Sequence, residues 1–421
     1  ITLAKLEHGT SSNDGKFLRA NNGADPSFET IDLTALSASN LTSGTVPDAR
    51  FPATLPAISG ANLTNLPASG KATNLVINGG MEISQRGTSF SLTGSGYTLD
   101  RFTQSVGSSF TMDTTITQST DAPDTFKNSL KVTPDSTQTP TGSHNGTIVT
   151  RFEGQDLVPI GYGTSSCKQI TLSFYAKSSS QNNGQTYTVQ INKSLLGAQK
   201  YVTKTFDITS SWQRFTMTFP ADTATATDEN NIQGMAIYWH LASGPDDIVS
   251  ESASSWVSQN GFRAATGQDN FFDNTSNEFY LTGVQLEVGD SASDFAHESY
   301  AETLAKCQRY LYVAIPTGTR GGFTECATMY TDGEIFGSVN FPVEMRTTPS
   351  LAYSNVSQYF IAYSANNNAL FSTLTLESTV SSPSVGAAYA NVGSTSGDWT
   401  GNSAMWRDHN DNAYIYFEAE L

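Results

Sequence analysis

The sequence predicts an all-β protein: an irregular N-terminal stalk, a β-sandwich, one connecting helix and a C-terminal β region. Three observations predict it. Alternating apolar and polar residues, punctuated by Gly, Asn, Ser and Asp clusters, fill most of residues 71–421. One stretch, Ser299 to Tyr312, has helical periodicity instead. Before residue 71 there is too little apolar material to close a core.

In that leading segment, 1–70, Ile31, Leu36, Leu41, Val46 and Phe51 recur every five residues. That period fits neither helix nor strand. Pro47, Pro52 and Pro56 forbid a long helix. Ser39-Asn40-Leu41-Thr42 and Ala61-Asn62-Leu63-Thr64 suggest a degenerate repeat. Parallel copies of the chain, each placing one side chain per layer around a common axis, can build a core that one copy cannot. The segment is therefore expected to be an oligomeric stalk; a disordered linker is the simpler alternative.

Residues 71–298 read as an antiparallel sandwich or jelly roll of about eleven strands. Ile170, Leu172, Phe174 and Ala176 alternate with polar neighbours. So do Phe215, Met217 and Phe219, and Met235, Ile237, Trp239 and Leu241. Such alternation predicts one face to the core and one to water. Trp212, opening a strand, is expected in the core. Gly244 to Thr275 is a long polar insertion, a length usually functional or mobile.

The chain is organised around Glu278 to Tyr312. Phe279 to Glu287 is strand-like, and Gly283 shifts its phase so that Val284 and Leu286 follow Phe279 and Leu281 into the core, which predicts a bulge. A polar turn, Gly289 to Phe295, leads to a capping box at Ser299 and Glu302. Tyr300, Leu304, Cys307 and Leu311 then share one helix face, placing a connecting helix at 299–312. Residues 313–421 form a second β region of about nine strands, expected as a β-sandwich tip. It ends in a hairpin from Ser403–Asp408 through His409-Asn410-Asp411-Asn412 into Ala413–Leu421.

Two sets of residues carry a resemblance. The strand ending GVQLEVG with the helix running into CQRYLY, together with Asn74-Leu75-Val76-Ile77-Asn78-Gly79-Gly80-Met81-Glu82 and Asp100-Arg101-Phe102, resembles a segment of bacteriophage tail-fibre and minor tail proteins. The resemblance spans roughly 71–312. It implies a jelly roll similar to carbohydrate-binding modules, a trimeric stalk, phage tail or baseplate proteins as partners at the N-terminal end, and placement in the virion after synthesis in the host cytoplasm. The ending FEAEL resembles the last strand of phage fibre tips.

Composition narrows the functional classes. The chain has 421 residues and a formal charge of −17, with only 22 Lys and Arg. No basic cluster is present, so nucleic acid and anionic lipid are poor partners. Charged residues make up 14%, against about a quarter in ordinary globular chains. A surface rich in Ser, Thr and Asn suits neutral ligands such as sugars. Three cysteines, Cys167, Cys307 and Cys326, with no CxxC pair, argue against a disulfide framework or a zinc site and suggest folding in a reducing compartment. No apolar run approaches spanning length and no signal peptide is seen. The start at Ile1 suggests a fragment or a processed product.

Catalytic motifs are thin. Gly289-Asp290-Ser291 and Asp294-Phe295-Ala296-His297 resemble the GDS and D-x-x-H blocks of SGNH-type esterases. Here both fall within one turn and lack an α/β frame, so a polar turn is the better reading. Asp408 to Asn412 starts like a calcium loop, but Ala413 and Ala419 stand where Gly and a bidentate Glu are needed. Thr282-Gly283 replaces the acidic residue of the structural calcium site in related modules. No cofactor is expected.

Aromatic residues remain. Trp399, Trp406, Tyr414 and Tyr416 beside His409 are candidate sugar platforms in the tip, and Trp256 and Tyr238 in the middle domain. The resulting expectation is non-catalytic adhesion of a trimeric fibre to a host surface polysaccharide or lipopolysaccharide, without membrane insertion. The alternatives are a carbohydrate-binding module of a secreted glycan-active enzyme and, remotely, an SGNH-type esterase.

Overall fold

The computed structural model describes residues 16–21, 24–30, 73–107, 110–195, 198–259, 261–316, 326–331, 334–354, 359–362, 368–377, 381–392, 403–408 and 414–421. The protein is built almost wholly of strands, as the alternation predicts. It divides into two units, 1–66 and 67–421. In the first, Phe17–Asn21 and Ala24–Glu29 pair as an antiparallel hairpin. The stalk residues Ile31, Leu36, Leu41, Val46 and Phe51 lie outside the described residues.

The second unit begins with a two-sheet sandwich. Seven strands run in the order Val257–Ser258, Ala198–Asp207, Thr186–Leu195, Gln233–Ser243, Asn145–Glu153, Phe102–Gly107, Gly96–Tyr97. Six run in the order Gln213–Phe219, Ile170–Ser178, Phe279–Val288, Ser129–Pro134, Asp113–Ser119, Ser89–Thr93. Neighbours far apart in sequence alternate between the sheets, which is the jelly-roll pattern. The inner faces meet through aromatic rings. Trp239 of the seven-stranded sheet stands edge-on to Phe174 of the six-stranded one at 5.8 Å, and Tyr187 to Phe279 at 6.0 Å. All four are fully buried, and each contributes roughly 2–3 kcal/mol by leaving water.

The predicted bulge is present. Register between Phe279–Val288 and Ile170–Ser178 shifts between Thr282 and Gln285, with Gly283 at φ +59°. Any side chain there would be strained, and its Cβ would stand 2.7 Å from Phe126 and 2.8 Å from Tyr175. The extra residue returns Val284 and Leu286 to the core, where both are fully buried.

Two side-chain expectations are corrected here. Gln233–Ser243 has no wet face: Ala236, Tyr238 and His240 are buried as well as Trp239. The insertion after Gly244 folds over them, with the Phe262 ring 5.3 Å from Tyr238 and 6.5 Å from His240. Trp212 is not core. It lies half-buried on the outer face of the six-stranded sheet, donating to Asp121 at 3.0 Å and meeting Tyr280 edge-on.

The only α-helix among the described residues, α1, is Tyr300–Gln308. Its capping box is complete: Ser299 Oγ accepts from the Glu302 N–H, and the Glu302 carboxylate accepts from the Ser299 N–H at 2.9 Å. The expected stripe is buried only in part, at Cys307 and Leu311. Thr303 and Cys307 face inward, Tyr300 is 60% exposed, and Leu311 belongs to the next strand, Leu311–Ile315. The helix stops because Arg309 is drawn to Glu153 and the β-branched and aromatic run after it pairs instead with Ile415–Glu418.

The tip is more closed than the expected sandwich. Cys326–Thr331, Glu334–Asn340, Val385–Val392, Asn368–Leu376, Tyr359–Ala362 and Ser403–Asp408 form a closed barrel, which leaves no free sheet edge. Leu311–Ile315, Ile415–Glu418 and Ser350–Tyr353 form a separate three-stranded sheet. The expected terminal hairpin is therefore overturned. Ser403–Asp408 pairs within the barrel, while Ile415–Glu418 pairs with Leu311–Ile315 and Ser350–Tyr353. Inter-strand partners were chosen by the buried faces of Ile415 and Phe417, not by nearness in sequence.

Candidate functional site

The segments that carry the sequence resemblance converge in space. Asn74 donates from Nδ2 to the Val284 carbonyl at 3.0 Å, and its Oδ1 accepts from the N–H of Val76 at 2.9 Å and of Leu286 at 3.0 Å. The Val284 N–H donates to the Gly79 carbonyl at 2.9 Å. A Cβ on Gly79 would sit 2.0 Å from the Val284 oxygen, so only glycine allows this approach. Asn78, at φ +60°, is buried; its amide donates to the Ile83 and Asp100 carbonyls, each at 2.9 Å, and accepts from the Ile83 N–H. The first and last segments of the sandwich are thereby tied at the Gly283 bulge.

Beside this tie lies a small open cleft of about 30 Å³. Its wall is aromatic. The Phe126 ring lies 4.9 Å from Phe295 and 5.2 Å from His297, and Phe295 and His297 are 4.9 Å apart. Phe126 rests on Tyr175 at 5.4 Å, in the space that Gly283 leaves empty. Gly79, Gly80, Glu82 and Glu298 complete the lining. Phe126 and Phe295 are half-buried and His297 is exposed, so ring surface faces solvent.

The polar groups of the cleft are unequal. The Asn74 and Asn78 amides are committed to the backbone, as above. Glu298 pairs with Lys306. Among the described residues neither the Glu82 carboxylate nor the His297 ring makes a hydrogen bond or ion pair. Chemically, the cleft offers apolar ring faces with a free carboxylate and an unbonded imidazole beside them. That arrangement can stack on C–H surfaces and accept from hydroxyls or amines. His297 makes no hydrogen bond to Ser291 among the described residues, so the nucleophile–base contact of an esterase is not formed.

A second polar cluster joins the sandwich to the sheet that follows α1. Glu153, fully buried, accepts from Arg309 Nε and Nη2 at 2.7 and 2.8 Å and from the Tyr310 hydroxyl at 2.6 Å. Burial pushes the Glu153 carboxyl up, but these bonds outweigh it and hold it below its ordinary value. The Arg101 guanidinium lies 3.5 Å over the Tyr310 ring and 2.6 Å from Glu420; Arg86 reaches Glu418 at 3.0 Å and Glu420 at 3.3 Å. Arg346 donates to the Ala419 and Glu420 carbonyls. These bonds are structural: they consume the charges that a ligand would need.

The sugar platforms expected from sequence fare differently. Trp399 and His409 lie outside the described residues, and only the backbone of Trp406 is described. Tyr414 and Tyr416 come together, stacked at 4.6 Å, but Tyr416 is buried. Tyr238 is covered by Phe262. Trp256 is half-buried against the core, donating to the Pro220 carbonyl at 2.8 Å and packing edge-on against Tyr162. Tyr238 is thus buried, and Trp256 has its indole N–H already bonded. Phe126, Phe295 and His297 were missed because they sit in polar turns. The one sequence signal for them is a pair of rings two residues apart in Asp294-Phe295-Ala296-His297, directly after the bulged strand.

By sequence, the chain matches no family model and no curated protein. Solved structures with which it shares a likeness include the enzymatically active domain of tailspike protein 4 of bacteriophage CBA120 (13% identity, TM-score 0.27), covering 51% of this chain and 21% of that one. A family 11 carbohydrate-binding module of a cellulosomal cellulase from Clostridium thermocellum has 14% identity and TM-score 0.26, covering 49% and 96%. A xylan-binding domain of family 22 from Paenibacillus barcinonensis has 10% identity and TM-score 0.27, covering 52% and 97%. The match thus spans about a fifth of the tailspike chain. At such scores these likenesses assign neither ligand nor activity.

Proposed function

We propose that this chain is a non-catalytic glycan-recognition protein, built as an adhesion fibre of a phage virion and assembled as a homotrimer. One observation carries the glycan reading: the open cleft in which Phe126, Phe295 and His297 present ring surface beside the unpaired Glu82 carboxylate. Sugars combine apolar C–H faces with hydroxyl donors, and such a surface meets both. The fibre reading rests on the five-residue apolar period at Ile31 to Phe51 and on the resemblance at Asn74–Glu82 and Glu278–Tyr312. Three linked cleft sites would turn weak single contacts into firm attachment. The stalk end would face tail or baseplate proteins.

The test uses the full chain on a glycan panel and on host cells, with light scattering for assembly state. The expected result is a trimer whose binding falls at least tenfold in Phe295→Ala and Phe126→Ala, with no ester hydrolysis by wild type or Ser291→Ala. A monomer would overturn the fibre. Binding untouched by both ring deletions would overturn the cleft.

A further inference from the structure

Resting on that glycan reading, we infer that the cleft selects a donor-rich sugar, holds a free amino sugar more tightly than its N-acetyl form, and excludes acidic sugars. The residues lining the cleft bring two carboxylates, Glu82 and Glu298, and no lysine or arginine. Lys306, in the last turn of α1, is paired with the Glu298 carboxylate. Of the amides that could donate to a sugar carboxylate, Asn78 has both N–H groups bonded to backbone carbonyls, and Asn74 has one N–H held by the Val284 carbonyl and its oxygen taken by two backbone N–H groups. The Glu82 carboxylate is half-buried and unpartnered among the described residues, and it can only accept.

A ligand that donates satisfies Glu82, and one that carries an anion meets like charge with no cation to offset it. An ammonium gains twice: a charge-assisted hydrogen bond to Glu82 and attraction to the faces of Phe126 and Phe295. Acetylation of the nitrogen removes both. The exposed His297 ring lies tilted against Phe126 and edge-on to Phe295 and is open to a hydrogen bond from any of these sugars, so the preference rests on the Glu82 charge.

Isothermal titration of the full chain at low salt tests this with three probes: a short glucosamine oligomer, its N-acetylated counterpart and an oligogalacturonate. The expected result is about tenfold tighter binding of the amine than of the N-acetyl form, and no binding of the galacturonate. Glu82→Gln, which keeps the shape and removes the charge, should bring the ratio near one. Phe295→Ala should weaken every interaction. A ratio near one in wild type, a ratio unchanged in Glu82→Gln, or binding of the galacturonate overturns the inference. If other glycans of the panel bind in a Phe295-dependent way, the glycan reading survives that result; if none does, both fall together.

Discussion

Asn74 and Val284 stand 210 positions apart in sequence and are joined by a hydrogen bond of 3.0 Å. The same carboxamide accepts from Leu286, so one side chain closes the first segment of the sandwich onto its last inner strand. Everything that shapes the cleft depends on this tie: the Gly79 approach, the Gly283 bulge and the seat of Phe126 between them.

Asn74→Ala should therefore destabilise the sandwich by about 2–4 kcal/mol, since the part-buried groups of Val284 and Leu286 lose their partners. Asn74→Asp keeps the two acceptor contacts and should lose less. Urea unfolding followed by tryptophan fluorescence checks the order. Equal stability of Asn74→Ala and wild type would show that the tie is dispensable.

His240 makes the protein acid-sensitive. Burial alone holds its imidazole down at about 3, against 6.5 when free. Between those values the unfolded chain binds the extra proton and the folded one does not. Stability present above pH 6.5 is lost as pH falls toward 3, by up to about 5 kcal/mol. The ring is bonded to Gln190 and Ser243 and fully buried beside Phe262. His240→Gln should unfold at lower pH than wild type in an acid titration monitored by circular dichroism.

Lys193 is fully buried against Asp222 at 2.6 Å, under the rings of Tyr162 and Trp256. Burial pushes the Asp222 carboxyl up, yet bonds from Lys193 and Lys200 overcome this and leave it at about 2. Its contribution is present above about pH 4 and fades as pH falls toward 2. Asp222→Asn strands a buried ammonium and should cost about 3–5 kcal/mol in thermal unfolding. Adding Lys193→Met should recover a large part, a pattern that separates lost pairing from lost packing.

Glu153 couples the sandwich to the sheet after α1. Glu153→Gln retains the shape but weakens the bonds to Arg309 and Tyr310, and should destabilise by about 2–4 kcal/mol. Hydrogen exchange should rise first in Leu311–Ile315. Unchanged protection there would assign the coupling to apolar packing of Tyr310 and Leu311 instead.

By itself the sequence determined the strands, the bulge at Gly283, the capping box at Ser299 and the place where helix replaces strand, because each is written in period, glycine and cap chemistry within a few residues. It also determined that Asn74–Glu82 and Gly283–Glu287 matter, without saying that they touch. Only the tertiary structure decided the partners of Ser403–Asp408 and Ile415–Glu418, the burial of Tyr238 under Phe262, the end of α1 at Glu153 and the cleft of Phe126 and Phe295. Those depend on which surfaces meet across hundreds of residues. Local alternation marks a face as apolar or polar, but only packing settles what covers it.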